Sequence, residues 1–441
     1  MHRRIYIETY GCQMNLADTE IVNGILASQG YEVSGDAESA DAIFMNTCAI
    51  RENAEQRIYG RLSNLEHLKK RNPHLVVGIL GCMAERLRRN LLKDGSIVDI
   101  VCGPDEYRKL PELIDHAFDG EKGIRTQLSR VETYDDIAPL RTDGISAWVA
   151  VMRGCDKFCS FCVVPFTRGR ERSRALDGIV DEVAKLVDRG FREVTLLGQN
   201  VNSYNDNGKD FADLLNATAA IDPLLRVRFT TSHPKDMSEK LIRSIAARPN
   251  ISNFIHLPVQ SGSTRILELM NRTYTREEYI SLVRHIKDII PNVALSTDVI
   301  TGFPTETKED HNATISLLEE VRFDGAFMFK YSPRENTKAW KLGDDIPDQI
   351  KASRLEEIID TQRRISLEIN RSCIGARERI LLEGPSKRSE QEWMGRTDGN
   401  KTVIVPRGEH TPGEYIDVGI VSVTSATLFG EEIRDAAIEA A

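Results

Sequence analysis

The residue types best suited to chemistry in this sequence are cysteines, and three of them are clustered. Cys155, Cys159 and Cys162 form a C-x3-C-x2-C motif in a predicted loop that follows a strand-like run and a glycine. Three thiolates this close together suit one metal centre that prefers soft ligands. Structural zinc usually takes four ligands with paired C-x2-C spacing, and no fourth Cys or His lies near the motif. The motif therefore favours an iron–sulfur cluster with one open iron, over zinc and over three unrelated buried thiols.

A second set of three cysteines is spread along the amino-terminal part of the chain. Cys12, Cys48 and Cys82 each follow a predicted strand, in the contexts ETYGC, NTC and LGC. Neighbouring strands of a sheet lie about 5 Å apart, so three loops at one sheet edge can bring three sulfurs together. The alternative is that each cysteine is an ordinary small hydrophobic residue at a strand end. The shared position after a strand favours a second three-thiolate metal site.

The other two cysteines fit structural roles. Cys102 also ends a strand-like run and is the best competitor as a ligand, but its flanking residues lack the shared pattern, so we predict a core thiol. Cys373 stands alone at a predicted domain junction. Eight cysteines in a chain without an apolar leader are typical of a reducing compartment, where metal ligation is commoner than disulfides. We therefore expect a cytoplasmic protein, with no apolar run long enough to span a membrane.

The pattern of the 441 residues predicts three domains and a linker. Residues 1–120 alternate short strand-like runs with amphipathic helices, which indicates a small parallel α/β sheet. Residues 121–144 are polar and weakly periodic, and we interpret them as a linker. Residues 145–370 contain six βα units, which predict an open doubly wound sheet or a partial barrel with ligands at the carboxyl ends of the strands. Residues 371–436 form short β-runs that predict a small all-β module.

The cysteine motifs resemble those of a known family. C-x3-C-x2-C after a barrel strand is similar to the motif of radical S-adenosylmethionine (SAM) enzymes, and the added amino-terminal trio resembles the radical SAM methylthiotransferases. The resemblance spans nearly the whole chain, through YGCQMNLADTE, NTCAIRENAE, RGCDKFCSFCVVPFTRGRERSR, LLGQNVNSY, HLPVQSGS and FKYSPRENTKA. It implies a methylthiotransferase domain, a partial (βα)6 radical SAM barrel and a carboxyl-terminal β-barrel of the RNA-binding TRAM type.

Within that family, the blocks are similar to the branch that modifies tRNA. The sibling that acts on an aspartate of a ribosomal protein has a GCPKN-like first block and an EGC-like radical SAM block, whereas this chain has GCQMN and RGC. The resemblance implies sulfur insertion at C2 of N6-isopentenyladenosine at tRNA position 37, followed by methylation. Three alternatives stay open: a branch acting on threonylcarbamoyladenosine, the ribosomal-protein branch, and a non-catalytic iron–sulfur RNA-binding protein.

The resemblance also implies cofactors and partners. Two [4Fe–4S] clusters are expected, one on Cys155, Cys159 and Cys162 that binds and cleaves SAM, and one on Cys12, Cys48 and Cys82 that carries the transferred sulfur. The expected partners are a tRNA with N6-isopentenyladenosine next to the anticodon and a low-potential electron donor such as flavodoxin or ferredoxin; we expect a monomer. In many radical SAM enzymes a Gly-Gly-Glu segment binds the SAM amino group, and here it corresponds to Leu197-Gly198-Gln199. The candidate contacts to SAM or the nucleoside at strand ends are Gln199, Asn200, Ser232, Gln260, Ser261 and Asp298.

RNA binding must overcome the formal net charge of −9, so local basic patches are needed. A run of alternating arginines follows the C-x3-C-x2-C motif, and a further basic stretch follows Cys82. The last module is locally basic and carries one tryptophan that could stack on a base. A solvated helix face is the alternative for each patch. The candidate RNA contacts are Arg168, Arg170, Arg172, Lys387, Arg388, Trp393 and Arg396.

Overall fold

The computed structural model of the protein describes residues 3–49, 52–93 and 95–433. It divides into two compact units, the first formed by Met1–Thr142, Trp148–Gly178 and Leu197–Gln199, and the second by the remaining residues. The last three residues of the predicted module 371–436 and the first two of the chain lie outside the described residues. None of the helices described has the combination of length and apolar character that a membrane crossing requires.

The amino-terminal part of the first unit is a parallel sheet with helices on both faces. Its strands are β1 (Arg4–Tyr10), β2 (Glu32–Val33), β3 (Ala42–Thr47), β4 (Val76–Gly81), β5 (Ile100–Cys102) and β6 (Gly123–Arg125). Its helices are α1 (Gln13–Ser28), α2 (Glu52–Arg71), α3 (Cys82–Leu87) and α4 (Leu110–Phe118). The strand order is β2-β1-β3-β4-β5-β6, and every neighbouring pair is parallel.

Burial on both faces explains why the central strands are apolar throughout. Phe44 of β3 packs with α1 and α4, whereas its neighbours Ile43 and Met45 pack with α2 and α3 on the other face. A parallel sheet covered by helices on both sides selects such continuous apolar runs instead of an alternating pattern. The predicted small parallel α/β domain is confirmed.

The segment from 121 to 144 is more than the predicted linker. It supplies β6, which pairs with β5 at the edge of the sheet, and it places Tyr134 in the domain core. The Tyr134 hydroxyl accepts a hydrogen bond from the Tyr107 amide at 3.0 Å and donates to the carbonyl oxygen of Pro104 at 3.1 Å. One short strand and one anchoring aromatic are enough to fix a segment whose polar composition indicates a loop.

The central part of the chain contains all six predicted strands of the βα units. The strands from this part are β7 (Ser146–Ala150), β8 (Met152–Arg153), β9 (Arg172–Ser173), β10 (Glu193–Leu197), β11 (Asn205–Asp206), β12 (Lys209–Asp210), β13 (Arg226–Thr230), β14 (Phe254–His256), β15 (Ala294–Thr301) and β16 (Gly325–Lys330). The six main strands form two three-stranded sheets, β13-β10-β7 and β14-β15-β16, and the remaining four strands pair as β8 with β9 and β11 with β12.

Helices alternate with these strands and begin where the caps predict. They are α5 (Val164–Thr167), α6 (Leu176–Asp188), α7 (Phe211–Ala219), α8 (Glu239–Ala247), α9 (Thr264–Leu269), α10 (Arg276–Ile289), α11 (Lys308–Val321) and the long α12 (Asp348–Arg371). Ser238 caps α8 by accepting from the Leu241 amide, and Thr275 forms the predicted capping box with Glu278 at the start of α10.

The carboxyl-terminal module is a closed five-stranded barrel. Its strands are β17 (Arg377–Ser386), β18 (Ser389–Thr397), β19 (Thr402–Pro406), β20 (Tyr415–Val423) and β21 (Thr427–Glu432), in the order β17-β18-β19-β21-β20. Inward-facing residues such as Ile380, Val403 and Val418 fill its core. Closure removes the exposed strand edges that an open sheet of this size would carry. The predicted small β-barrel is confirmed.

Candidate functional site

The structure places Cys12, Cys48 and Cys82 at the carboxyl ends of three adjacent strands. The register aligns Tyr10 of β1 with Thr47 of β3, and Thr47 with Gly81 of β4, so the cysteines follow three residues that lie side by side. The chain crosses from β1 to β2 on one side and continues with β3 on the other, which makes this edge a topological switch point. Parallel α/β sheets bind ligands at such points. The expected convergence of the strand ends is therefore present, and ligation by these sulfurs stays a prediction.

Two buried asparagines fix the loops that carry this first trio. The Asn15 amide donates to Asn46 Oδ1 and to the Thr47 carbonyl, both at 3.1 Å. The Asn46 amide donates in return to the Asn15 carbonyl at 2.9 Å. Asn15 also accepts from the Cys12 amide and thiol through its Oδ1. This exchange ties the start of α1 to the end of β3, so the Cys12 and Cys48 loops hold a fixed separation.

Gly81 lets the third cysteine join this edge. Its φ of +87° lies in the left-handed region, and a Cβ here would come within 2.6 Å of the Thr47 carbonyl oxygen. A side chain would therefore push β4 away from β3 just where Cys82 begins α3. The glycine in the LGC block is needed by the backbone itself.

The thiols of the first trio differ in acidity. A hydrogen bond with Cys48 and the nearby Arg168 guanidinium lower the pKa of Cys12 to about 6, against the opposing effect of burial. Burial raises the pKa of Cys82, and the Arg168 charge opposes that rise. Metal ligation requires the thiolate, so the lowered pKa makes Cys12 more ready than Cys82 to ligate near neutral pH.

The second trio lies in the loop between β8 and α5. The Cys155 amide donates to the Gly169 carbonyl at 3.2 Å, and the Cys162 amide donates to the Cys159 carbonyl at 3.0 Å. Gly154 has a φ of +81°, and a Cβ there would lie 2.0 Å from the Arg170 carbonyl oxygen, so the loop closes only with glycine before Cys155. Burial raises the pKa of Cys155 to about 12, so a bound metal would have to displace its proton.

The donor chemistry of both trios fits iron–sulfur clusters. All six sulfurs are free thiols. In the described part of the chain, no three His, Cys, Asp or Glu side chains gather tightly enough for a single metal ion. Three soft thiolates are a donor set that an iron–sulfur cluster with one open iron can use, whereas structural zinc takes four ligands.

The other two cysteines lie where the sequence predicts. Cys102 is fully buried in the core of the amino-terminal sheet, and burial raises the pKa of its thiol far above the ordinary value. Cys373 is half-buried and packs against the core of the carboxyl-terminal barrel. Neither thiol belongs to a trio.

A buried ion network surrounds the two cysteine loops. Asp18 of α1 accepts from Arg153 Nη1 at 2.9 Å and from Arg168 Nη2 at 2.7 Å, and Asp105 accepts from both Nη atoms of Arg172 at 3.0 Å. Burial tends to raise the pKa of Asp18, but the two guanidiniums hold it below its ordinary value. The amino-terminal sheet and the segment around the C-x3-C-x2-C motif are thereby joined by paired charges.

This network corrects part of the predicted RNA surface. Arg168 is 3% exposed and Arg172 is 7% exposed, and both are paired with buried carboxylates, so they are not placed to bind RNA phosphates. Arg170 between them is exposed and donates to Asp156 at 2.6 Å. Arg174, the next arginine of the run, is buried as well. Only Arg170 of the three fits an RNA contact.

The carboxyl-terminal barrel needs a similar correction. Trp393 is buried in the barrel core with the Arg407 guanidinium over its ring at 4.4 Å, so it is not free to stack on a base. Arg396 is partly buried and paired with Glu383 at 2.9 Å. Lys387 and Arg388 lie exposed in the turn between β17 and β18. Of the predicted RNA contacts in this barrel, Lys387 and Arg388 are the best placed to reach RNA.

Gln199 lies beside the second trio. Its Oε1 accepts from the Gly154 amide at 2.5 Å, next to Cys155, and its buried Nε2 has no acceptor among the residues described. The predicted replacement of a carboxylate by an amide thus leaves a donor in place of an acceptor. This side chain and the cysteine loop belong to the same unit.

The other predicted SAM or nucleoside contacts lie in the second unit. Asp298 is on β15, and its carbonyl accepts from the Gln260 amide at 2.9 Å. The hydroxyl of Ser232 is buried without a partner among the described residues. The hydroxyl of Ser261 accepts from the amide of Ser263, the residue that caps α9. Asn200 donates to Asp236 at 2.8 Å. Ser232 keeps a polar group available and Asp298 lies 3.5 Å from His256 Nε2 through Oδ1, whereas Ser261 and Asn200 are used within the fold.

The sheet β14-β15-β16 also presents an exposed aromatic residue, Phe327. Phe327 of β16 pairs with Asp298 in the register and contacts the ring of His256, with centroids 5.7 Å apart. It is 56% exposed, although phenylalanine is among the residue types most often buried. Its strand, GAFMFK, is apolar up to Lys330, so no pattern in the sequence distinguishes Phe327 from its half-buried neighbours.

Three family models match the chain, one for each predicted domain. Residues 4–103 match the uncharacterised protein family UPF0004, residues 149–318 match the radical SAM superfamily, and residues 371–433 match the TRAM domain. The order of the three matches is the order of the α/β sheet, the βα units and the closed barrel.

Full-length relatives are similar across almost the whole chain. A tRNA-2-methylthio-N(6)-dimethylallyladenosine synthase of Chloroherpeton thalassium is 56% identical over 433 residues, covering 98% of this chain and 96% of its own. The synthases of the same name from Bacteroides fragilis and Prosthecochloris aestuarii are 51% and 50% identical; each covers 98% of this chain, and the coverage of their own lengths is 96% and 98%.

Solved structures share the fold at low identity. The radical SAM methyltransferase TsrM of Kitasatospora setae, solved with cobalamin and a [4Fe–4S] cluster, aligns with a TM-score of 0.57 at 15% identity, covering 85% of this chain and 79% of its own. The cobalamin-dependent radical enzyme OxsB with SAM aligns at 0.54 and 13% identity, covering 80% of this chain and 56% of its own. At these identities the likeness concerns the fold alone.

Proposed function

The chain belongs to the tRNA-2-methylthio-N(6)-dimethylallyladenosine synthases, which are radical SAM methylthiotransferases, and we propose from this that it methylthiolates C2 of N6-isopentenyladenosine at position 37 of tRNA. The observation that carries the proposal is the presence of two cysteine trios in one compact unit, one at a sheet switch point and one in the C-x3-C-x2-C loop. A C–H bond of an aromatic ring has no acidic proton, so cofactor chemistry is required.

The residues of the chain divide this work between two sites. Cys155, Cys159 and Cys162 would hold a [4Fe–4S] cluster whose open iron binds SAM and whose electron cleaves it. Gln199 lies beside them with a free amide N–H, which suits a carboxylate oxygen of SAM better than its amino group. The amide would therefore contact SAM through a different group from the carboxylate of the commoner Gly-Gly-Glu segment.

The second site would hold the sulfur to be transferred. Cys12, Cys48 and Cys82 offer three thiolates at one sheet edge, which leaves one iron of a second [4Fe–4S] cluster for an exchangeable sulfur. Two open irons match two tasks, the generation of a radical and the delivery of a methylated sulfur. The second cluster is part of this proposal, as are the ligand roles of all six cysteines.

The proposal extends to the partners. A low-potential donor such as flavodoxin or ferredoxin would reduce the SAM-binding cluster, and the chain would act as a monomer in the cytoplasm, where tRNA is modified. Exposed Arg170, Lys387 and Arg388 are the basic side chains best placed to bind RNA phosphates. Screening over about 8 Å lets such residues act locally despite the net negative charge.

The proposal also makes Phe327 a contact for the modified nucleoside. It shares a sheet face with Asp298 and His256, and its exposed ring can pack on a purine or on the isopentenyl group. We expect Phe327→Ala to raise the KM for isopentenylated tRNA about tenfold or more, since stacking of one base contributes about 1–3 kcal/mol. Steady-state methylthiolation measures it, with exposed Leu224→Ala as the control that keeps the wild-type KM. An unchanged KM in Phe327→Ala would remove this residue from the site.

The substrate itself is tested by mass spectrometry of tRNA nucleosides. Anaerobically reconstituted protein is incubated with SAM, a reductant and one of three tRNAs, which carry isopentenyladenosine, unmodified adenosine or threonylcarbamoyladenosine at position 37. We expect a 2-methylthio product only with the isopentenylated tRNA. A product with threonylcarbamoyladenosine alone would assign the chain to a different substrate, and RNA binding without SAM consumption would indicate a non-catalytic protein.

A further inference from the structure

Arg168 contacts the first cysteine trio directly. Its Nε donates to the Cys82 sulfur at 3.2 Å, and its Nη2 donates to Asp18 at 2.7 Å. Its Nη1 is buried and has no acceptor among the residues described. The side chain is almost fully enclosed, so bulk water does not satisfy that donor. A buried guanidinium N–H without an acceptor is costly, which points to a partner of negative charge.

The charges nearby support the same conclusion. In the described ion network, three buried arginines, Arg153, Arg168 and Arg172, pair with two buried aspartates, Asp18 and Asp105. Asp18 is already shared with Arg153, so its carboxylate cannot balance Arg168 alone. Neutral thiols would leave positive charge uncompensated in the interior. Thiolates and sulfides of a bound cluster would supply the missing negative charge.

A second arginine of the same segment shows the contrast. Arg174 is also buried, but it donates to Asp135 at 2.7 Å and to the Ala150 carbonyl at 2.8 Å. Its role is explained by these protein acceptors. Arg168 differs because one donor is committed to a sulfur and another lacks a protein acceptor.

We propose that Arg168 is a positioning residue for the cluster on Cys12, Cys48 and Cys82: it donates to the Cys82 sulfur and directs its remaining N–H group toward an anionic sulfur of that cluster. The inference rests on the second cluster of the proposed function. Hydrogen bonds to cluster sulfurs and nearby positive charge favour the reduced state, so Arg168 raises the reduction potential of this cluster. Through its ion pair with Asp18, Arg168 also fixes the position of this cluster relative to the segment that follows the C-x3-C-x2-C motif.

The test uses a background in which only this cluster can form. Cys155, Cys159 and Cys162 are replaced together by alanine, the protein is reconstituted, and the midpoint potential is measured by EPR-monitored redox titration. We expect Arg168→Met to shift the midpoint to a more negative value and to change the EPR signal. Arg168→Lys keeps the charge but loses the fork of donors, so its shift should be smaller and of the same sign. Arg174→Met is the matched control and should keep the midpoint of the background.

The outcomes separate this inference from the proposed function. A background protein that binds no iron would contradict the second cluster, and the role of Arg168 would fall with it. Full iron content with the same midpoint and EPR signal in Arg168→Met would overturn the role of Arg168 alone. If Arg168→Met does not load a cluster, Arg168→Lys decides, because an unchanged midpoint and signal in that variant would overturn the proposal. An equal shift of the midpoint potential in Arg174→Met would also overturn the proposal, because the loss of any buried positive charge nearby would then explain the shift.

Discussion

Replacing Cys155 with alanine is expected to reduce SAM cleavage to the background of the assay. The loop that contains this cysteine is closed by a glycine that tolerates no side chain and by a backbone hydrogen bond to Gly169, so the backbone fixes where the Cys155 thiol lies in the motif. Losing one of three ligands would leave the SAM-binding cluster without a stable set of cysteines. The measurement is the release of 5′-deoxyadenosine under reducing conditions.

Cys12→Ala is expected to give a different result in the same assay. Its position at the end of β1 is in the other trio, so SAM cleavage should stay largely intact while the 2-methylthio product is lost. Cys373→Ala is the control, because this thiol lies outside both trios and should leave cleavage and product formation at wild-type levels. If Cys155→Ala and Cys12→Ala lost SAM cleavage equally, the division of labour between the two trios would be wrong.

Asp18→Asn is expected to destabilise the first unit strongly. Asp18 is fully buried between the guanidiniums of Arg153 and Arg168, and removing its charge leaves two buried cations without a shared partner. Breaking a buried pair of this kind costs about 3–5 kcal/mol. Hydrogen exchange of the backbone amides in β1, β3 and β4 of the apoprotein measures the loss of opening free energy in this unit.

An exposed ion pair provides the control for Asp18. Asp115 pairs with Arg3 while 62% of its own side chain is exposed, so Asp115→Asn should cost about 1 kcal/mol or less. The pKa of Asp18 is held below its value in the unfolded chain, so its contribution is present at neutral pH and is lost as the pH falls through the acidic range. Equal protection in Asp18→Asn and Asp115→Asn would show that the network does not stabilise the sheet.

The cysteine geometry could be predicted from sequence because strand topology decides it. Cys12, Cys48 and Cys82 follow three strands whose apolar runs identify a parallel sheet, and the carboxyl ends of neighbouring parallel strands meet at one edge. The C-x3-C-x2-C motif carries its own spacing. In both cases the information is local or is fixed by a regular rule of sheet structure.

The misplaced RNA contacts show where such rules stop. The arginine run that includes Arg168 looks like a basic patch in sequence, but its partner Asp18 lies 150 residues away in the chain. A buried pair at that separation leaves no local signal. Trp393 was wrong as a stacking residue for the same reason, because closure of the barrel decides which side of β18 faces the core.

Iron and labile sulfide analysis of anaerobically reconstituted protein tests the central claim most directly. Two [4Fe–4S] clusters require about eight iron and eight sulfide per chain, and about four of each after either cysteine trio is replaced by alanine. We expect these values in the wild type and in both triple variants. Four iron in the wild type, no loss on replacing Cys12, Cys48 and Cys82, or zinc in place of iron would contradict the account.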